Sequence, residues 1–287
     1  MTIIKRRGDR ILPEQLDLMC YWIKERESIR LQREDEKPPP WSSDPIMAGY
    51  RWCNARRMDD KVSRWLLGWH LLHPGISVQN RLCAVMLGRL INWPETLSIL
   101  PYPAPYEEST ISDLLLARKA RGEKVFTGAY IVNGALRGDK ILQVTRKIIA
   151  PIWKMRRLSP SAPHTMRQMW EWLNGKPGIG SFMAGQVTAD IRYLYYDMPW
   201  EDKLTWAPQG PGSLRGVNRL IGQPTNARLP YGEWLDVVGA AYRLGARRLP
   251  VTYARLELMD QQNILCEYDK YSRLLRGEGT VRARYSA

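Results

Sequence analysis

The sequence predicts a mainly α-helical fold. Apolar residues recur at helical spacing along most of the chain, and one short run, residues 125–132, has the composition of a strand. The chain has 287 residues, of which 44% are hydrophobic, so it is long and apolar enough to bury a substantial core. The helical spacing of the apolar residues and the size of the potential core favour a folded helical protein.

The first predicted helix opens at Pro13 and carries its apolar residues on one face. Its charged second half leads to the breaker Pro38-Pro39-Pro40, which cannot continue a helix. We therefore assign residues 1–40 to an N-terminal helix and a proline-rich linker. Residues 41–287 form the predicted catalytic domain, as one helical unit or as two interleaved helical subdomains.

The clearest helical pattern lies at residues 57–73, where Trp65, Leu66 and Trp69 repeat at helical spacing. Asp59 and Asp60 fall in the first turn of this predicted helix, where acidic residues are favoured. Similar stripes predict helices at residues 78–86, 111–115 and 141–155, and the proline- and tyrosine-rich residues 94–106 predict a loop.

The charge balance points to a polyanionic partner. Lys and Arg number 43 against 29 Asp and Glu, which gives a formal net charge of +14. Such an excess is typical of proteins that bind nucleic acid. The alternative is a basic protein whose charge serves only solubility, and charge alone leaves both open.

Cysteine and histidine patterns point away from metal and disulfide chemistry. The four cysteines form no CxxC pair and the three histidines form no HExxH motif. We therefore expect no metal site, no cofactor and a reducing compartment. No apolar stretch approaches the length of a membrane span, so the sequence predicts neither export nor membrane insertion.

A glycine-rich turn between two predicted helices is the strongest local signal. It lies within residues 170–194, and its candidate DNA-binding residues are Lys176, Gly178, Gly180 and Ser181. Glycines let the backbone approach another surface closely, and the amides that start the second helix suit a phosphate oxygen, with Ser181 as a possible N-cap. The alternative is an ordinary turn between two helices.

This turn resembles the LPGVGxxTA element of the helix-hairpin-helix DNA glycosylases. Residues 177–185 match the element, and residues 210–220 follow it as the VDTHVxRxxxRL segment does. Gly210, however, occupies the place of the glycosylase catalytic aspartate, and the cysteines of an iron-sulfur loop are missing. The resemblance implies a helix-hairpin-helix DNA glycosylase-like scaffold without glycosylase chemistry.

Four motifs resemble a second family in the same order, at residues 50–60, 126–132, 178–187 and 265–271. They are similar to the phage amino acid:DNA transferases, also described as glutamyl/putrescinyl-thymidine pyrophosphorylase-like proteins or thymidine aminotransferases. The resemblance implies a phage-encoded enzyme of the host cytoplasm that acts on double-stranded DNA carrying 5-phosphomethyl-deoxyuridine. The resemblance further implies that an upstream DNA kinase supplies the phosphate and that this enzyme would replace it with a free amino acid or amine. On the same resemblance, the resulting hypermodified thymidine would protect phage DNA against restriction.

The first motif contains residues suited to that chemistry. The candidate catalytic residues there are Arg51, Asn54, Arg56, Arg57, Asp59 and Asp60. Planar guanidinium groups hold a leaving phosphate well, the carboxylates suit an incoming ammonium, and the asparagine suits a base edge or the phosphate. The alternative is a capped helix start with internal ion pairs.

The C-terminal charged cluster supplies the remaining candidates. Glu267 is the candidate general base, because an ammonium must lose a proton before it has a lone pair. The candidate substrate-binding residues are Ser213, Arg215, Asn218, Asp269, Lys270 and Arg273. The alternative is an exposed helical face with internal pairs, and Arg219 is as consistent with a structural role as with a functional one.

Two rival functions remain open at this point. One is a base-excision glycosylase with an unusual catalytic base, against which Gly210 argues. The other is a DNA-binding module without catalysis, against which the dense polar motif at residues 50–60 argues. No P-loop or Rossmann fingerprint is present, so the phosphate should already be on the DNA, whose target base is flipped out. The amine transferred, the leaving group as phosphate or pyrophosphate, and the oligomeric state are left undetermined.

Overall fold

The computed structural model describes residues 10–127, 138–155, 164–195, 197–250 and 255–279, without the side chains of residues 78 and 79. The possible strand at 125–132 and the motif at 126–132 fall mostly on residues 128–132, which lie outside the described residues. Within the described ranges the regular structure is helical and contains no strand. The predicted mainly α fold class is therefore confirmed, whereas the glycosylase-like arrangement of its helices stays a prediction.

Thirteen α-helical segments are present in the described ranges. In chain order they are α1 (Pro13–Glu34), α2 (Pro45–Gly49), α3 (Lys61–Leu71), α4 (Val78–Ile91), α5 (Pro94–Leu97), α6 (Glu108–Ala120), α7 (Lys140–Leu142), α8 (Ala150–Trp153), α9 (Met166–Asn174), α10 (Ser181–Leu194), α11 (Pro211–Leu220), α12 (Tyr231–Ala246) and α13 (Leu258–Leu275). A 3-10 turn at Arg57–Asp59 precedes α3, and a π-helical segment at Gln143–Ile149 joins α7 to α8. None of these helices is long and apolar enough to cross a bilayer.

The chain divides into two compact units. Unit 1 combines Met1–Asp60 with Lys203–Ala287 and holds α1, α2, α11, α12 and α13. Unit 2 is Lys61–Asp202 and holds α3 to α10. The predicted boundary at residue 40 stays a prediction.

The core of unit 1 depends on close packing between α11 and α13. A Cβ on Gly212 would lie 2.2 Å from Cys266 Sγ, and a Cβ on Gly216 would lie 2.2 Å from the carbonyl oxygen of Leu265. No side chain fits at these distances, so the two glycines, four residues apart, let the helices approach. Trp22 of α1 and Trp234 of α12 fill the surrounding core and are fully buried.

A buried ion pair lies in the core of unit 2. Arg89 of α4 reaches Asp190 of α10 with two bonds, at 2.6 and 2.7 Å. Its remaining donors bond to Asn92 Oδ1 at 3.0 Å and to Ser63 Oγ at 3.1 Å. Because the guanidinium is only 2% exposed, these partners are what make its burial tolerable.

One turn geometry occurs twice in unit 2. Residues 73–76 connect α3 to α4 with the sequence His-Pro-Gly-Ile, and residues 176–179 connect α9 to α10 with Lys-Pro-Gly-Ile. Gly75 and Gly178 both have φ of +76°, a left-handed conformation that favours glycine. The predicted hairpin between two helices is therefore present at residues 175–180, and the turn after α3 matches it.

Several helix boundaries differ from the sequence prediction. The helix expected at residues 57–73 begins only at Lys61, so Asp59 and Asp60 precede it and do not occupy its first turn. The segment 94–106, predicted as a loop, contains the short helix α5. The helix α12 was not predicted, although its buried Trp234 and Val238 lie four residues apart on one face.

Candidate functional site

The first motif forms an irregular segment, which we call the arginine loop and define as residues 50–60. Apart from the 3-10 turn Arg57–Asp59, it has no regular secondary structure. Its backbone polar groups therefore depend on side chains from elsewhere in unit 1. Those partners come from α13 and α1.

One face of α13 holds the backbone of the arginine loop. The contacts are Arg57 N to Asp260 Oδ1 at 3.0 Å, Asn263 Nδ2 to Asn54 O at 3.4 Å, Cys53 N to Glu267 Oε2 at 3.2 Å, and Lys270 Nζ to Arg51 O at 3.1 Å. The four α13 residues follow the spacing of a single helical face. Successive turns of α13 thus fix successive parts of the loop.

Helix α1 holds the same loop through two arginines. Arg26 is only 5% exposed and donates from Nε to the carbonyl oxygen of Cys53 at 3.1 Å. Its Nη2 donates to Oδ1 of Asn54. Arg30 lies one turn further on, with its Nε 3.7 Å from Oδ2 of Asp59. The helix that the sequence analysis sets apart as an N-terminal element therefore contributes directly to the candidate site.

The three candidate arginines of the loop differ in exposure. Arg51 is exposed, whereas Arg56 and Arg57 are half-buried. Arg56 Nη1 lies 3.8 Å from Oδ1 of Asp59, and Arg30 Nε lies 3.7 Å from Oδ2 of the same carboxylate. Burial raises the pKa of Asp59, and the two arginines oppose that rise. Asp60 ends the 3-10 turn. The catalytic roles proposed for these residues stay predictions.

Glu267 is a buried carboxylate, 6% exposed, whose Oε2 accepts from Cys53 N and from Lys270 Nζ at 3.1 Å. The ammonium of Lys270 lies 4.7 Å from the ring centroid of Trp52. The negative charge of Glu267 raises the pKa of the Cys53 thiol, which favours its neutral form. Glu267 holds the loop in this arrangement, and its role as general base stays a prediction.

Asp269 is fully buried and contacts three arginines. The nitrogen–oxygen distances are 2.8 Å from Arg215 Nε, 2.8 Å from Arg219 Nε and 3.6 Å from Arg273 Nε. Arg219 also contacts Glu278 at 2.6 Å and has 6% of its side chain exposed, whereas Arg215 has 38% exposed. Asp269 therefore orients Arg215, which keeps an accessible guanidinium edge.

Ser213 and Asn218 are fully buried. Ser213 Oγ accepts from Gly210 N at 3.2 Å and so caps the start of α11. Asn218 Nδ2 donates to the carbonyl oxygens of Thr225 and Ala227, at 3.2 and 2.9 Å. These contacts serve the fold, and substrate binding by either residue stays a prediction.

The hairpin of unit 2 exposes the glycines singled out from the sequence. Gly178 needs its positive φ, whereas Gly180 has φ of −85° and no atom within 4 Å of the position that a Cβ would take. Gly180, not Ser181, is the N-cap of α10, and Ser181 is the first helical residue. Lys176 Nζ lies 4.0 Å from the ring centroid of Trp172. The fold therefore requires glycine at position 178 for its backbone conformation, whereas a side chain at position 180 would extend into open space.

Sequence reasoning missed the residues that position the arginine loop, namely Arg26, Asp260 and Asn263. A signal existed for Arg26, because it continues the buried stripe of α1 that includes Trp22 and Ile23. Asp260 and Asn263 show their relation to Glu267 and Lys270 only once α13 is placed as a helix. Among the described residues, no group of His, Cys, Asp and Glu is arranged to hold a metal ion.

Comparison with known proteins gives one family and one curated relative of note. The family model described as 5-hmdU DNA kinase, helical domain, matches residues 13–280. The chain is 24% identical over 285 residues to the 5-hmdU DNA kinase of Bacillus phage SP10. That alignment covers 89% of this chain and 44% of the relative, so the chain spans less than half of the relative's length. No solved structure matches.

Proposed function

The chain belongs to the family of the 5-hmdU DNA kinase helical domain, and we propose that it acts on phosphorylated 5-hydroxymethyl-deoxyuridine in phage DNA. In this proposal it is a transferase that replaces the phosphate with an amino acid or an amine. The nitrogen lone pair attacks the 5-methylene carbon, the carbon–oxygen bond breaks, and phosphate leaves with the electron pair. The ammonium proton passes to a carboxylate or to solvent.

The observation that carries this proposal is the arginine loop. Arg51, Arg56 and Arg57 stand on a segment whose backbone is fixed from α13 and from α1. Preorganised cations stabilise a leaving phosphate because its charge grows as the bond breaks. Fixing the backbone of the loop limits the reorganisation that this stabilisation would otherwise require.

The chain aligns with only part of its relative, and this supports a step other than phosphoryl transfer. The relative is named a kinase, yet this chain aligns with 44% of it and contains no P-loop. We infer that nucleotide-dependent phosphorylation belongs to the part of the relative outside the alignment. The helical part would then use the phosphate that the kinase installs.

A second candidate function is recognition without catalysis. The family description names a kinase, so the helical domain would hold 5-hydroxymethyl-deoxyuridine DNA for a kinase active site. The formal charge of +14 favours DNA binding in either case. The two candidates differ in whether the helical domain itself changes the nucleoside.

One assay separates the candidates. The purified chain is incubated with duplex DNA containing 5-phosphomethyl-deoxyuridine and a mixture of amino acids and polyamines, and the digested nucleosides are analysed by mass spectrometry. An aminoalkyl adduct with release of phosphate supports the transferase, and assays with single amines then identify the co-substrate. DNA binding without any change supports recognition alone, and an abasic product supports a glycosylase.

A further inference from the structure

The amide of Asn54 has a fixed orientation. A guanidinium carries only donors, so the Asn54 atom that bonds to Arg26 Nη2 must be the oxygen Oδ1. The amide nitrogen Nδ2 then points away from Arg26 with two N–H donors. Among the residues that the structure describes, none accepts a hydrogen bond from this nitrogen, and Asn54 is half-buried.

Arg26 has the properties needed to keep the amide from rotating. It is 5% exposed, and its Nε donates to the carbonyl oxygen of the adjacent Cys53 at 3.1 Å. Two separate nitrogens of one planar group therefore hold the backbone and the side chain of neighbouring residues. Lysine has a single ammonium and cannot reproduce this pair of contacts.

We propose that Asn54 is a specificity-determining residue which donates from Nδ2 to the carbonyl oxygen at position 4 of the flipped-out base, and that Arg26 is its positioning residue. This inference rests on the proposed action on a modified deoxyuridine. An asparagine that reads adenine needs both its oxygen and its nitrogen. With Oδ1 occupied by Arg26, Asn54 offers donors alone.

A donor-only amide selects among pyrimidines. The uracil ring presents carbonyl oxygens at positions 2 and 4, and both accept hydrogen bonds. Cytosine has the same carbonyl at position 2 but an amino group at position 4, so at position 4 its donors would face the donors of Asn54. The chemistry therefore fits a 5-substituted uracil and rejects the corresponding cytosine.

The test compares two DNA duplexes that differ at one base. Each carries 5-hydroxymethyl-deoxyuridine or 5-hydroxymethyl-deoxycytidine opposite an abasic site, so that neither base must break a pair before it leaves the stack. Fluorescence anisotropy gives the ratio of the two dissociation constants. We expect the wild-type protein to favour the uracil duplex by about tenfold, the discrimination of one well-placed hydrogen bond against a mismatched one.

Two variants probe the amide and its support. Asn54→Asp keeps the shape but removes the donors, so we expect the preference to disappear or to reverse. Arg26→Met frees the amide to rotate, and the ratio should fall towards one. Arg33→Met is the matched control, because Arg33 lies on the same helix, is exposed, and has its guanidinium 5.1 Å from the ring centroid of Trp41, outside the arginine loop; its ratio should stay at the wild-type value.

The ratio separates base reading from fold defects, since a general loss of structure weakens both duplexes alike. Equal or unmeasurable affinity of the wild type for the two duplexes would overturn the inference, as would an Asn54→Asp variant that keeps the wild-type ratio. If the ratio behaves as expected while no phosphate is replaced in the mass-spectrometric assay, base reading stands and the transferase proposal fails. Phosphate replacement without discrimination between the duplexes would instead support the transferase and overturn base reading by Asn54.

Discussion

The backbone amide of Arg57 donates to the carboxylate of Asp260 at 3.0 Å, across 203 positions of sequence. The second oxygen of the same carboxylate accepts from Glu257 N at 2.9 Å. One buried side chain thus caps α13 and holds the arginine loop. The protonation state of Asp260 therefore affects both the start of α13 and the backbone of the arginine loop.

The first prediction concerns pH. Burial raises the pKa of Asp260 from 3.8 to about 6, against the opposing effect of its two backbone donors. A carboxyl with a raised folded-state pKa contributes stability that is complete below its unfolded pKa and is lost as pH rises through its folded pKa. Here that loss corresponds to roughly 3 kcal/mol.

Asp260→Asn should lack this dependence, because an amide does not titrate. The free energy of unfolding of the wild type relative to the variant should therefore decrease between about pH 4 and pH 7.5. Urea unfolding of both proteins across this range measures the difference. A difference that stays constant with pH would show that Asp260 titrates normally.

The second prediction concerns Asp269. Replacing this fully buried carboxylate with Asn leaves Arg219 buried beside a neutral group and removes the partner of Arg215. We expect the free energy of unfolding to fall by roughly 3 kcal/mol. Glu278→Gln is the control, because Glu278 also contacts Arg219 but is 46% exposed, and its loss should cost less than about 1 kcal/mol. Similar losses in both variants would argue against the buried cluster.

The third prediction separates the two hairpin glycines. Gly180→Ala introduces a methyl group into open space at a φ of −85°, so thermal stability should change little. If DNA phosphates approach this backbone, the affinity for every DNA sequence should fall by a similar factor. Gly178→Ala should instead cost about 1–2 kcal/mol in stability, because its φ is +76°. Wild-type DNA affinity in a folded Gly180→Ala protein would remove this turn from the proposed DNA surface.

The fourth prediction concerns the arginine loop. Arg51, Arg56 and Arg57 are each replaced with Lys, which keeps the charge but loses the planar fork. The variant that removes the phosphate contact should lose on the order of a hundredfold in single-turnover rate on 5-phosphomethyl-deoxyuridine DNA, with DNA affinity nearly unchanged.

Arg64→Lys serves as the control for this series, since Arg64 is an exposed residue of α3 and its replacement should have little effect. Near-normal rates in all three loop variants would move the phosphate contact elsewhere. Arg215 is then the strongest candidate, because Asp269 orients it and 38% of its side chain is exposed.

Local patterns in the sequence predicted much of the fold. The stripe of Trp65, Leu66 and Trp69 correctly indicated α3, and Pro13 marked the start of α1. Periodicity could not show that Arg57–Asp59 is a separate 3-10 turn, since the backbone of Arg57 is held by Asp260, 203 positions away in the sequence. The turn at Gly178 was likewise recognised, but the sequence does not distinguish it from Gly180, whose φ is ordinary.

The candidate site was predictable only in part. The arginine motif was identified from residue types that suit phosphate chemistry. The residues that hold the backbone of this motif were not identified. Arg26 and Asp260 lie far from it in the sequence, and such long-range pairings leave no periodic signal. Glu267 was singled out as the general base and Lys270 as a substrate-binding residue. The two form an ion pair at 3.1 Å, and their shared attachment to the backbone of the loop could not be recognised from the sequence.

The interleaving of the two units has a consequence for folding order. During synthesis, residues 61–202 are complete before Lys203 emerges, whereas α1 must wait for α13, with which it bonds through Gln15 and Tyr268 at 2.7 Å. The entropy cost of closing such a long loop grows only by about 0.6 kcal/mol for each doubling of length. A long insertion therefore costs little more stability than a shorter one would, but it delays unit 1, and during that delay the apolar face of α1 is exposed to aggregation and to chaperones.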